Sequence, residues 1–165
     1  MTMTSYETAR ATKFAAAIVA ALAMGACAKT PDPNADGAGG AATPGSLQDF
    51  AQNVGDRVFF ESDSSELTST AQATLDKQAA WLARYGSYSF TVEGHADERG
   101  TREYNFALGA RRAESVKSYL SARGVAAGRM RTTSFGKERP VAVCNDISCW
   151  SQNRRAVTVL AGASS

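Results

Sequence analysis

Residues 92–124, VEGHADERGTREYNFALGARRAESVKSYLSARG, decide the fold. Thr91, Val92 and Glu93 end an alternating run that reads as a strand. Residues 94–100 read as a polar loop, and Thr101 opens a helix that Gly124 closes. A loop that leaves a strand and enters a helix N-terminus is a natural ligand site. The first-turn amides lack intrahelical acceptors and can hold a carboxylate, while Asp97 and Glu98 can hold an ammonium group. That pairing suits a zwitterion. The same stretch carries the only histidine of the chain, His95.

Helical spacing from Thr101 onward predicts a buried stripe of Phe106, Ala110, Ala113, Val116 and Leu120. Tyr104, Leu108, Arg112 and Tyr119 run along an adjacent stripe, which puts Arg112 at the edge of the core face. Upstream, Tyr88, Phe90 and Val92 alternate as a strand. Before it, Thr68 is the N-cap of a helix reaching Tyr85, with Ala71, Leu75, Ala79 and Leu82 inward, Trp81 at the core edge and Gly86 as the stop. Earlier still, Val58, Phe59 and Phe60 form a short strand, and Asp63, Ser64 and Ser65 turn the chain. Leu47, Phe50, Ala51 and Val54 share one short helical face. Downstream, residues 128–134 read as a strand with Met130 and Thr132 alternating, residues 135–153 as a long loop, and RRAVTVL as a final strand.

The element order is therefore β-α-β-α-β-β. Strands separated by helices need crossovers and pair in parallel, while the last strand is free to run antiparallel. The expected fold is an α/β two-layer sandwich, one mixed sheet with helices packed on one face.

The chain has 165 residues, 44% of them hydrophobic, and a formal charge of +2. That length supports one domain with a real core. Basic residues are interleaved with acids along the chain, which reads as a solvated surface and not as a nucleic-acid interface.

Residues 1–26 read as a targeting segment: Arg10 and Lys13 form a basic n-region, an alanine-rich apolar run follows, and Gly25 and Ala26 precede Cys27. The run is too short to span a bilayer. A cysteine placed directly after Met24, Gly25 and Ala26 resembles a bacterial lipobox, which implies a signal peptide cut before Cys27, lipid attachment at Cys27 and, with Ala28 next, delivery to the outer membrane. Residues 27–46 contain no large apolar side chain, cannot bury enough surface to fold, and read as a tether. Residues 47–165 are then the folded domain.

VEGHADERGTREYN, LGARRAESVKSYL, SFGKERPVA and NRRAVTV resemble, in order and spacing, the OmpA-like peptidoglycan-binding domain family, over residues 58–160. The resemblance implies noncovalent binding of the diaminopimelate side chain of peptidoglycan stems, with no catalysis, no cofactor and no metal. It places the family's key aspartate on Asp97, receiving the ligand ammonium, and its key arginine on Arg112, receiving a carboxylate through a planar fork. Gly100, Thr101, Asn105 and Leu108 match positions that shape the pocket, and Asp63 matches the aspartate after the first strand. Ser62 stands where the family carries an aromatic or aliphatic residue. For a lipid-anchored member the resemblance further implies a domain facing the periplasm, a TolB-like propeller protein as partner, and a part in outer-membrane constriction at division.

Plainer readings stand beside these. Asp97 and Arg112 also read as a surface ion pair. His95 reads as a structural loop residue, there being no second histidine for a metal set and no nucleophile-elbow context. Arg154 and Arg155 read as charges guarding an edge strand, or as part of the site lining. In an oxidising periplasm Cys144 and Cys149 read as a disulfide, with a metal site as the alternative. A competing function is a periplasmic cell-wall peptide hydrolase using His95, Asp97 and Glu98 as acid and base.

Overall fold

The computed structural model describes residues 42–161. The signal-peptide reading, Cys27 and most of the tether lie outside them. Ser46 caps a first helical turn, α1 (Leu47–Asp49), that continues as a π-helical turn (Phe50–Gly55). Then come β1 (Arg57–Phe59), α2 (Ser69–Arg84), β2 (Phe90–His95), α3 (Arg102–Ala122), a 3₁₀ turn (Ala127–Arg129), β3 (Met130–Gly136), α4 (Ile147–Asn153) and β4 (Arg155–Leu160). The sheet order is β1-β4-β2-β3. β2 and β3 are parallel, joined by the α3 crossover, and β4 runs antiparallel to both β1 and β2.

Thr68 and Thr101 cap α2 and α3 through their hydroxyls, which accept the backbone N–H groups of Ala71 and Tyr104. Each satisfies one of the first-turn donors that a helix leaves free. α2 and α3 cover one face of the sheet over Phe50, Val58, Phe60, Leu75, Leu82, Phe90, Val92, Val116, Leu120 and Ala156. Gln78 crosses that core fully buried, its amide donating to the Gly55 carbonyl and its oxygen accepting from Thr158. At the core margin Trp81 packs on Phe50 and donates its indole N–H to Asp49. Among the described residues no helix is long and apolar enough to cross a membrane.

Several sequence expectations need correction. Phe106 is 57% exposed and Ala110 is also outside; the inward stripe of α3 is Asn105, Leu108, Gly109, Arg112, Ala113, Val116 and Leu120. The stripe is rotated because Gly109 lies against Gly94 and brings its neighbours in with it. Of the first helical face only Phe50 is buried, Leu47 and Ala51 being exposed. His95 is not a loop residue: it is the last residue of β2, and the loop starts at Ala96. The long loop is interrupted by α4, whose first turn Asp146 caps by accepting the Ser148 N–H. β4 is an interior strand, so Arg154 and Arg155 are no edge guards, and both are buried.

Candidate functional site

β2 ends beside the N-terminus of α3, and the loop between them bends back over the end of β1. Gly100 makes that bend at φ +85°, in the left-handed region that favours glycine. Three contacts fix the loop. Ala96 N–H donates to the Gly136 carbonyl, Lys137 Nζ donates to the carbonyls of Glu98 and Gly100, and Asn105 donates its amide to the Arg99 carbonyl. The result is a cleft of about 270 Å3 lined by Ser62, Asp63, Asp97, Arg99, Gly100, Tyr104, Asn105 and Leu108. Three hollows elsewhere are larger, at about 280, 480 and 630 Å3, but none reaches Asp97.

Asp97 is 7% exposed. Its Oδ1 accepts from the backbone N–H of Arg99 at 3.2 Å and from Arg99 Nε at 3.1 Å, and its Oδ2 accepts from Arg99 Nη2 at 2.7 Å. From behind, buried Arg154 reaches Oδ2 at 3.4 Å, while its Nε holds the Phe60 carbonyl. Burial pushes the Asp97 carboxyl upward, but the Arg99 hydrogen bonds and charge, together with Arg154, outweigh it and hold the group below the usual carboxylate range. The cleft therefore contains a nearly buried, ionised acid. At its other wall Tyr104 donates its hydroxyl to Asp63, a residue held at φ 56°.

Arg112 is placed differently from the sequence expectation. It is wholly buried, not at the core edge, and every guanidinium nitrogen is engaged: Nε with the Ser64 carbonyl at 2.8 Å, Nη1 with that of His95 at 2.8 Å, and Nη2 with that of Glu61 at 3.1 Å. Burial and the charge of Arg154 push it down to about 10. Among the described residues no ion pair joins it to Asp97, so the surface-pair reading falls. Arg112 ties the segment after β1 to the end of β2, and so builds the cleft from behind.

Asp63, Asp97, Gly100, Asn105 and Leu108 line the cleft together; Thr101 sits just outside as the helix cap. Arg99 and Tyr104 were missed as site residues, and Arg154, read as an edge guard or as part of the site lining, stands behind Asp97. Arg99 stood in the quoted HADERGT motif, but its contact with Asp97 requires a chain reversal that spacing alone does not show. Arg154 comes from 57 residues away. His95 does not line the cleft; its ring is buried, stacks on Phe135 at 5.6 Å, and has no hydrogen-bond partner on either nitrogen. Burial first, then the charges of Arg155 and Arg139, push its pKa down to about 4.

Beside the cleft, α4 brings Trp150 under Arg99, with the guanidinium carbon 4.3 Å from the ring centre, and the indole N–H donates to Glu98. Cys144 and Cys149 are bonded across the start of α4, with Cα atoms 5.7 Å apart. Asp146 lies close to both sulfurs, but bonded sulfurs are not thiolate ligands.

The α/β scaffold thus carries an open polar cleft with one nearly buried acid and one partly exposed arginine. The chain belongs to the OmpA family, whose model matches residues 59–154. It is 64% identical over 154 residues to the peptidoglycan-associated lipoprotein of Rhizobium meliloti, covering 90% of this chain and 88% of that one. The crystal structure of the peptidoglycan-associated lipoprotein from Burkholderia pseudomallei aligns with a TM-score of 0.63 and 42% identity, over 64% of this chain and 90% of that one. The C-terminal domain of Helicobacter pylori MotB shares the fold at a TM-score of 0.62 and 20% identity, over 66% of this chain and 86% of that one.

Proposed function

We propose that this protein is an outer-membrane lipoprotein that binds peptidoglycan noncovalently, through the diaminopimelate of peptide stems, and so tethers the membrane to the wall. The names of its relatives support the wall-binding lipoprotein reading. The observation that carries the ligand assignment is Asp97: a carboxylate nearly buried, kept ionised, and open to the cleft is suited to an ammonium group. Asp63, Gly100, Asn105 and Leu108 shape the walls, Thr101 fixes the start of α3, and Arg112 supplies positive charge behind the cleft. Cys27 carries the lipid, residues 28–46 span the gap, and the domain faces the periplasm. Within the Tol-Pal system the protein engages a TolB-like partner and acts in outer-membrane integrity and in constriction at division.

The function is binding without turnover. Of the three residues the hydrolase reading uses, His95 is buried away from the cleft, which supports the binding reading. Incubation of the full chain with isolated peptidoglycan tests both: the protein should sediment with the wall and release no fragments. Released peptide would replace this reading with the hydrolase, and protein left in the supernatant would overturn it.

A further inference from the structure

α4 supports the cleft loop from outside. Trp150, in the middle of the helix, donates its indole N–H to the Glu98 carboxylate and carries the Arg99 guanidinium over its ring. Arg99 in turn lines the cleft and pairs with Asp97. The helix has little of its own to stand on. It is seven residues long, too short to be stable in isolation, and among the described residues it packs only lightly on the other helices and strands. Ile147 is 63% exposed, and only Cys149 and Asn153 are buried.

The position of Trp150 therefore depends on what ties α4 at its two ends. At the C-terminal end, Asn153 accepts the N–H groups of Val141 and Ala142 and donates to the Ala142 carbonyl. Arg154 follows, bonded to Phe60 in both directions: its Nε donates to the Phe60 carbonyl, and its own carbonyl accepts the Phe60 N–H. At the N-terminal end, Asp146 caps the first turn from within the same short loop. The covalent tie there is Cys144–Cys149, and Cys149 is the chain neighbour of Trp150.

We propose that Trp150 is a positioning residue for wall binding and that the Cys144–Cys149 bond keeps it in place, so that the oxidation state of the pair sets how strongly the protein holds the wall. A dithiol reverses the tie. Its thiolate attacks the sulfur of Cys144, the more exposed of the two, and Cys149 leaves as a thiolate and takes up a proton. The second thiol of the reductant then closes its own disulfide and releases Cys144 as a thiol, so two electrons and two protons pass to the protein. Residues 143–149 lose their cross-link, α4 frays from its first turn, and Trp150 leaves Glu98 and Arg99. Arg154 stays on Phe60 and Asp97. Binding is weakened and not abolished, because a ligand must then order a loop that the oxidised protein presents already formed. The role rests on the wall-binding reading above and adds a control by redox conditions to it.

The test is cosedimentation of the full chain in detergent with isolated peptidoglycan, before and after reduction by dithiothreitol, with the thiols titrated in each sample. Reduction should weaken binding by about three- to tenfold, reversibly on reoxidation, with the circular dichroism of the domain unchanged. Cys144→Ser combined with Cys149→Ser should bind like the reduced wild type and ignore reductant. Trp150→Ala should bind equally weakly and show no further loss on reduction, since its link to the loop is already cut. Trp150→Phe keeps a ring under Arg99 and should recover most of the affinity together with its sensitivity to reductant. A fully reduced wild type that binds as the oxidised protein does overturns the proposal, as does a Trp150→Ala variant that still weakens on reduction. An oxidised wild type that stays in the supernatant overturns the wall-binding reading itself.

Discussion

Gly94 of β2 and Gly109 of α3 meet backbone to backbone: a Cβ on Gly109 would stand 2.8 Å from the Gly94 carbonyl oxygen and 2.5 Å from the Ser134 hydroxyl. A Cβ on Gly94 would collide with the Gly109 carbonyl itself. The contact lets α3 lie directly on β2 where the strand ends, which sets the height of the cleft loop above the helix.

Gly94→Ala should therefore be costly, because the opposing atoms are backbone and α3 must move. A loss of about 3 kcal/mol is expected in urea unfolding, with weaker wall binding. Gly109→Ala should cost less, as its Cβ meets the Gly94 carbonyl oxygen at 2.8 Å where that of Gly94→Ala meets the Gly109 carbonyl oxygen at 1.8 Å, and the Ser134 side chain can rotate away. Equal stability of Gly94→Ala and wild type would show that the helix is not held at this point.

Arg112→Ala removes donors from three buried or half-buried carbonyls that stitch the segment after β1 to β2. A loss of about 3 kcal/mol or more is expected, along with loss of binding, and Arg112→Lys should recover little because an ammonium cannot reach all three. Asp97→Ala, in contrast, should lose binding with far less effect on unfolding. Comparing urea midpoints of the two variants separates the residue that builds the cleft from the one that faces it.

His95 makes stability depend on pH. Its folded pKa of about 4 lies below the ordinary 6.5, so the unfolded chain takes up the proton first. The contribution is fully present above pH 6.5 and is lost as pH falls toward 4, amounting to about 3 kcal/mol at most. The lowered carboxyl of Asp97 adds a further loss at more acidic pH. His95→Gln should flatten the unfolding free energy between pH 6.5 and 4 and leave peptidoglycan binding near normal. A wild-type profile already flat in that window would contradict the buried, neutral imidazole.

The Cys144–Cys149 bond closes a very short loop, so the stabilisation expected from it is about 2 kcal/mol. Protein recovered under oxidising conditions should show no reactive thiol until reductant is added. Reduction should raise amide exchange across Ile147–Asn153 before it affects α2 or α3. Free thiols in the untreated protein would contradict the bond.

Much of the scaffold was legible because local signals agree with the tertiary outcome. Thr68 and Thr101 are caps in sequence and in structure, α2 has a clear apolar face, and the helix between β2 and β3 dictates their parallel pairing. α4 escaped because ISCWSQN is short and polar, and its stability comes from Asp146 and from Asn153, which bonds the backbone at Val141 and Ala142. The stripe of α3 was misread because an apolar Phe106 was set inward ahead of Arg112. Burial of an arginine is unfavourable on average, and it occurs here because distant carbonyls satisfy each nitrogen. The site shows the same division. Asp97 and the residues around Gly100 could be assigned from one motif, whereas Arg154 reaches Asp97 through strand pairing that local spacing does not reveal.

The most direct test of the account is calorimetric titration of the full chain with a diaminopimelate tripeptide, comparing wild type with Asp97→Asn. Asparagine keeps the size and much of the hydrogen bonding but cannot form an ion pair with an ammonium group. The account predicts saturable binding by the wild type and an affinity lower in the variant by on the order of thirtyfold to several thousandfold. Equal affinity in the two proteins would contradict it.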